Sequence, residues 1–137
     1  MRILLVGTDF SESSTRAFAK ACEIAEAMGE KVHLLHVLEP VDDPDSGDPE
    51  TREFYRQLTE RSHAKLQDEL ATNTRPVEVT TGVMIGRRVQ VLRQVAEQLP
   101  ADLLVLGSKP LSEDAPPRLG VSHQLALTSA RPVLLVP

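Results

Sequence analysis

Two short segments carry residue types from which a site for a phosphorylated ligand can be built. Gly7-Thr8-Asp9 follows the apolar run Ile3-Leu4-Leu5-Val6, and Gly107-Ser108-Lys109 follows Leu103-Leu104-Val105-Leu106. Each pairs a glycine, which permits close backbone approach, with hydroxyl or charged groups at the end of a strand-like run. Asp9 has the chemistry to bond a ribose or base, or to help hold a divalent cation. It is equally suited to organising the turn into a following helix. Further on, Gly120-Val121-Ser122 opens a helix-like segment whose first N–H groups and dipole favour an anion. Lys109 and Arg118 add positive charge to the intervening loop, opposed by Glu113 and Asp114. The bland alternative for this segment is a plain strand-to-helix connection.

Other reactive residue types are less well placed. His33 and His36 fall on opposite faces of a predicted strand and cannot readily share a metal. His63 and His123 lie in helical segments, with no Cys or carboxylate at metal-ligand spacing, so no metal site is expected. His123 does lie close enough in sequence to Gly120 to meet a bound phosphate. Cys22, the single cysteine, sits beside Ala21 and Ile24 and reads as a small buried thiol. No Gly-x-x-x-x-Gly-Lys-Ser/Thr pattern is present, and no nucleophile stands beside an evident general base. A phospho-accepting receiver would need a second Asp ending the third strand, where Thr81-Gly82-Val83-Met84-Ile85-Gly86 stands instead. The expectation is a binding or regulatory protein rather than an enzyme. The alternative is a weak ATP-hydrolysing or phosphate-transferring enzyme using the same crevice.

The elements that must position these groups alternate in period. Ile3 to Val6 reads as a doubly covered strand. Ser11 N-caps a helix with Ala17, Ala21, Ile24, Ala25 and Met28 on one face, ended by Gly29. Val32 to Leu38 is a second strand, and Glu39 to Glu50, rich in proline and aspartate, reads as a mobile solvated loop. A long helix with Phe54, Leu58, Ser62, Leu66 and Leu70 on its apolar face comes next. Val77 to Val83 is a weaker strand, Val89, Leu92, Ala96 and Leu99 mark a third helix, and Leu103 to Leu106 is a second buried strand. Past Pro110, Pro116 and Pro117, a short helix from about Gly120 to Ser129 precedes a last strand over Pro132–Pro137. This order predicts one α/β domain over residues 1–137, a doubly wound, Rossmann-like parallel sheet with helices on both faces. Ligands of such sheets bind beyond the carboxyl ends of the strands where the order reverses, which is where Asp9 and Gly107 fall.

Composition removes several classes of function. The 137 residues carry a net charge of −5 and only 3% aromatics. General nucleic-acid binding would want a basic face or a stacking platform, and an anionic membrane surface would want a basic one. No apolar run approaches the roughly 20 residues of a membrane span. The first apolar stretch is too short for a signal peptide, and with one cysteine the expectation is a cytoplasmic protein.

Gly107-Ser108-Lys109-Pro110, nine residues, then Gly120-Val121-Ser122 resembles the ATP-binding motif of the universal stress protein family: Gly, two residues, Gly, nine residues, Gly, then Ser or Thr. The resemblance runs through the whole chain. Ile3 to Ser11 is similar to the family's opening strand and turn, Leu34-Leu35-His36-Val37 to its second strand, and Gly82-Val83 to Gly86 and Ala101 to Ser108 to later landmarks. Arg131 to Pro137 is similar to the closing strand. The resemblance implies a five-stranded sheet of order 3-2-1-4-5 and a homodimer. It also implies an adenine-nucleotide site with Asp9 at the adenosine, the Val37 backbone at the base, and the glycines and hydroxyl of the loop at the phosphates, so the candidate nucleotide-binding residues are Thr8, Asp9, Val37, Gly107, Ser108, Lys109, Gly120, Val121 and Ser122. Pro110 and Val121 replace a motif glycine and a motif Ser or Thr. Proline lacks the N–H and the glycine conformation, and valine lacks the hydroxyl, so weakened ATP binding is expected. The apolar edge strand Val133, Leu134, Leu135 and Val136 predicts pairing with a second copy across a two-fold axis. No motif names a protein client.

Overall fold

The computed structural model describes residues 2–41, 43, 47–109 and 120–137. Among these residues nine elements follow in order: β1 (Ile3–Gly7), α1 (Glu12–Met28), β2 (Lys31–Leu38), α2 (Pro49–Leu70), β3 (Val79–Ile85), α3 (Arg88–Gln98), β4 (Ala101–Gly107), α4 (Val121–Thr128) and β5 (Val133–Val136). All strand pairs are parallel and the order is β3-β2-β1-β4-β5. The reversal lies between β1 and β4, so their carboxyl ends open the crevice characteristic of such sheets.

Two apolar layers cover the sheet. Leu4, Val6, Val32, Leu34 and Val105 pack with Ala17, Phe18, Ala21, Cys22 and Ala25 of α1 and Leu66 of α2. Leu5, Leu35, Val37, Leu104 and Leu106 pack on the other face with Val91, Leu92 and Ala96 of α3 and Leu125 of α4. The alternation follows from the two-residue period of a strand. One irregularity resets it: Ile3 pairs with Ala101 but Leu4 with Leu103, leaving Asp102 as an extra residue. Ala101 thereby joins Leu104 on the α3/α4 face.

The ends of α1 are the expected ones. Ser11 is extended and its side chain accepts from the Ser14 N–H, while Gly29 takes φ 68° and its N–H closes the helix on Ala25 and Glu26. Other expectations shift. Met28 is 55% exposed, so it lies off the buried face. In α2 the buried residues are Tyr55, Ser62, Leu66 and Glu69, and Phe54 is half exposed. The inner face therefore rotates toward two polar groups that find partners inside. The helix starts at Pro49, capped by the Asp48 carboxylate, which accepts the Glu50 N–H. Glu50 thus belongs to the helix and not to the preceding loop. That loop's expected mobility concerns a stretch partly outside the described residues. The third strand runs Val79–Ile85 instead of Val77–Val83, because its pairing with β2 begins at Val32–Val79 and continues to Leu38–Ile85. No helix of the described residues is long and apolar enough to cross a membrane.

Candidate functional site

Thr8 leaves the sheet with every polar group engaged. Its N–H donates to Leu35 O at 2.9 Å, and its carbonyl accepts from His36 Nδ1 at 2.7 Å. Since a carbonyl only accepts, Nδ1 carries the hydrogen. Burial lowers the His36 pKa despite this bond, and the nearby positive charge of Arg88 lowers it further, so the ring is neutral at pH 7. The Thr8 hydroxyl donates to Glu69 Oε2 at 2.9 Å and accepts the Phe10 N–H at 3.0 Å. Glu69 is only 6% exposed. Its burial, reinforced by the Asp9 charge and countered by the Thr8 hydroxyl, holds its carboxyl above the usual range.

The same turn fixes Asp9. Oδ1 accepts the Ser11 N–H and lies in reach of the Ser14 hydroxyl, both at 3.0 Å. Burial works to raise its pKa, but the bonds from Ser11 and Ser14 together outweigh it, and the carboxyl lies below its ordinary value. Asp9 is an anion at neutral pH. The turn costs strain: Phe10 has φ 65°, which side chains rarely adopt. Its ring is held 4.4 Å from that of His36, with Lys65 Nζ 5.5 Å from its centre.

Opposite Asp9, β4 ends at Gly107 in contact with the first turn of α1. A Cβ on Gly107 would fall on the Ser14 amide and 2.5 Å from the Ser13 carbonyl carbon. Glycine here is a packing requirement. Gly120 N-caps α4 with φ −70°, and among the described residues nothing lies within 4 Å of where its Cβ would stand and no side chain caps the helix. Among the described residues the first-turn amides of α4 thus have no side-chain acceptor. At α3 the Arg88 N–H donates to Glu39 Oε1 at 2.9 Å.

These ends enclose a cleft lined by Gly7, Thr8, Asp9, Ser14, Leu35, Val37, Arg88, Leu92, Leu106, Gly107, Val121 and Ser122. Its clear interior is about 80 Å³, and the free space out to its open mouth about 490 Å³. The interior alone admits a few waters, so anything as large as a nucleotide must lie along the mouth. Of the residues expected from sequence, the fold gathers Thr8, Asp9, Val37, Gly107, Val121 and Ser122 on this wall. Ser108, Lys109 and Gly120 are not on it. The Ser108 N–H continues the sheet by donating to Val136 O at 2.8 Å, and Lys109 is exposed. Pro110, Glu113, Asp114, Pro116, Pro117 and Arg118 lie outside the described residues. Three participants were not foreseen: Ser14, Glu69 behind Thr8, and Arg88. The signal for Arg88 was its place just after the third strand, a carboxyl end like the two that were considered.

The remaining chemistry is structural. His33 Nδ1 lies 2.7 Å from Thr80 Oγ1, and burial lowers its pKa. Burial pushes the Cys22 thiol up to about 11, so it is protonated and unreactive. Among the described residues, no group of three or more His, Cys, Asp or Glu is placed to hold a metal ion.

Comparison with known proteins agrees with this architecture. The family model described as the universal stress protein family matches residues 1–137. A universal stress protein of Thermus aquaticus is 31% identical over 136 residues, covering 98% of each chain. One from Mycobacterium tuberculosis is 33% identical over 122 residues, covering 87% of this chain and 84% of its own. A universal stress protein solved in complex with cAMP superposes with a TM-score of 0.71 at 26% identity, over 99% of this chain and 97% of that one. The chain belongs to the universal stress protein family.

Proposed function

We propose that this chain is a regulatory protein that binds an adenine nucleotide in the cleft between β1 and β4 and acts as a homodimer. The observation that carries the reading is the gathering of Thr8, Asp9, Val37, Gly107, Val121 and Ser122 on one wall at the topological switch point. A relative of similar fold is known in complex with cAMP, which supports the same ligand class here. Asp9, charged and oriented through Oδ1, makes no bond through Oδ2 to any described residue. That oxygen is suited to a ribose hydroxyl. The backbone at Val37 offers groups to a base edge, and the α4 amides complement a phosphate.

Binding, rather than turnover, suits the cleft. The one carboxylate among its described lining residues, Asp9, is a weak base because its pKa lies below the ordinary value, and Glu69 is committed to the Thr8 hydroxyl. ATP itself is expected to bind weakly, since Pro110 and Val121 each remove a phosphate contact. Calorimetric titration with AMP, cAMP and ATP–magnesium tests the reading. Micromolar binding of any of these, reduced at least tenfold by Asp9→Ala, supports it, and no heat from any of them at millimolar concentration contradicts it.

The dimer reading rests on β5. It pairs only with β4, so its outer backbone edge has no strand partner among the described residues, and its four residues are apolar. Leu127, on the adjacent α4, is 74% exposed. Two such edges paired about a two-fold axis would cover both features. Sedimentation velocity at micromolar concentration should give a dimer, and a monomer alone would contradict this.

A further inference from the structure

Arg88 is the residue of the cleft whose chemistry remains unmatched. It lines the wall, and its Nε is buried without a hydrogen-bond partner among the described residues. No ion pair or side-chain hydrogen bond of its guanidinium is found there either. Only its backbone N–H is engaged, by Glu39 Oε1. Arg131 provides the contrast: its Nε donates to Ala101 O at 2.7 Å. A guanidinium is charged at every physiological pH and carries five N–H donors in one plane. Buried donors of charged groups are almost always satisfied, so an unsatisfied one calls for a missing partner. That partner must be an acceptor and is best an anion.

A second feature opens on the same cleft. Val121 and Ser122, the first two residues of α4, line the same cleft, and α4 has no side-chain cap among the described residues. Among the described residues its first-turn amides and positive dipole end therefore also lack a side-chain acceptor. Two independent donor sets, one ionic and one backbone, face one space. Trigonal and tetrahedral oxyanions satisfy both, and a planar guanidinium fits phosphate oxygens two at a time. Two carboxylates lie nearby without pairing with the guanidinium: Glu39 accepts the Arg88 backbone N–H, and Asp9 is held through Oδ1 by Ser11 and Ser14.

We propose that Arg88 is the phosphate-binding residue of this cleft, replacing in part the contacts that the loop lost at Pro110 and Val121. The proposal rests on the reading of the cleft as a nucleotide site. It adds that affinity follows the ligand's phosphate and that the charge comes from α3. The phosphate can belong to a nucleotide or be inorganic, and the experiment separates the two.

Wild type, Arg88→Gln and Arg88→Lys are titrated with adenosine, AMP and inorganic phosphate. Heat and the Arg88 Nε–Hε resonance are both followed. Wild type should bind AMP at least tenfold more tightly than adenosine. Arg88→Gln should reduce that ratio to about threefold or less with adenosine affinity unchanged, and Arg88→Lys should restore part of it. Equal losses for AMP and adenosine would mark a merely structural role and overturn the proposal, as would an unchanged ratio. If neither nucleotide binds, the nucleotide reading fails, and inorganic phosphate decides the proposal alone. A saturable shift of the Nε–Hε signal supports it as a site for free phosphate, and no saturation overturns it. Because a buried donor without a partner is a cost to the free protein, Arg88→Gln should melt no lower than wild type.

Discussion

Gly107 and Gly120 occupy matching places in the phosphate motif, but the fold asks different things of them. Alanine at 107 would put a methyl group 2.5 Å from the Ser13 carbonyl carbon and 2.7 Å from Ser13 Oγ, as well as against the Ser14 amide. Non-bonded carbon contacts settle near ~3.5–4.0 Å, so the first turn of α1 must retreat by about 1 Å. Overpacking of this kind costs about 1–3 kcal/mol. The retreat also disturbs the Ser11 cap on Ser14 and the Asp9 bonds, and a lost cap adds about 1 kcal/mol. Gly107→Ala should therefore lose about 2–4 kcal/mol of a stability that is typically about 5–15 kcal/mol for such a domain. With a urea slope of about 2 kcal/mol/M, the midpoint falls by about 1–2 M. Gly120→Ser should move the other way. A Cβ there meets no described residue within 4 Å, φ is −70°, and the new hydroxyl can cap α4. The gain is a few tenths of a kcal/mol. Urea titration of the ligand-free protein, followed by circular dichroism, reads both. An unchanged midpoint for Gly107→Ala would refute the packing argument and leave the glycine to the ligand alone.

Two further perturbations test other parts of the structure. The pair Pro110→Gly and Val121→Ser should raise ATP affinity by about tenfold or more per regained hydrogen bond, at about 1.5–3 kcal/mol each, with the double variant exceeding either single one; calorimetry with ATP–magnesium that gives no gain would refute it. Glu30 is 7% exposed, and its Oε2 has no partner among the described residues. Burial, and then the neighbouring Asp102 carboxyl, hold its pKa above the usual value. A group raised on folding contributes its stability below its unfolded pKa and loses it as pH rises through the folded value. Glu30→Gln should therefore melt higher than wild type at pH 7, with a smaller advantage at pH 5. An equal difference at both pH values would show that Glu30 does not titrate as argued.

The parts of the fold that the chain's chemistry states locally were legible. Ser11 and Gly29 mark helix ends through a side-chain acceptor and a left-handed backbone, and both do so in the structure. The continuous apolar runs of β1 and β4 place the crevice because they are covered on both faces. Where burial depends on distant partners, the sequence was silent. β3 is an edge strand with no fully buried position, so its ends follow from pairing with β2 and not from its own pattern. Glu69 looks like a solvent residue of α2 until Thr8, 61 positions earlier, supplies the hydroxyl that brings it inside. Arg88 could not be distinguished from the adjacent Arg87 by residue type, and only the closure of α3 over the cleft separates them.

The account stands most directly on where a nucleotide touches the chain. Two-dimensional ¹⁵N–¹H spectra of the uniformly labelled protein, titrated with AMP, measure this residue by residue. The expected result is saturable shifts concentrated at Thr8, Asp9, Val37, Gly107, Val121 and Ser122. Shifts confined to other surfaces, or none up to millimolar AMP, would contradict it.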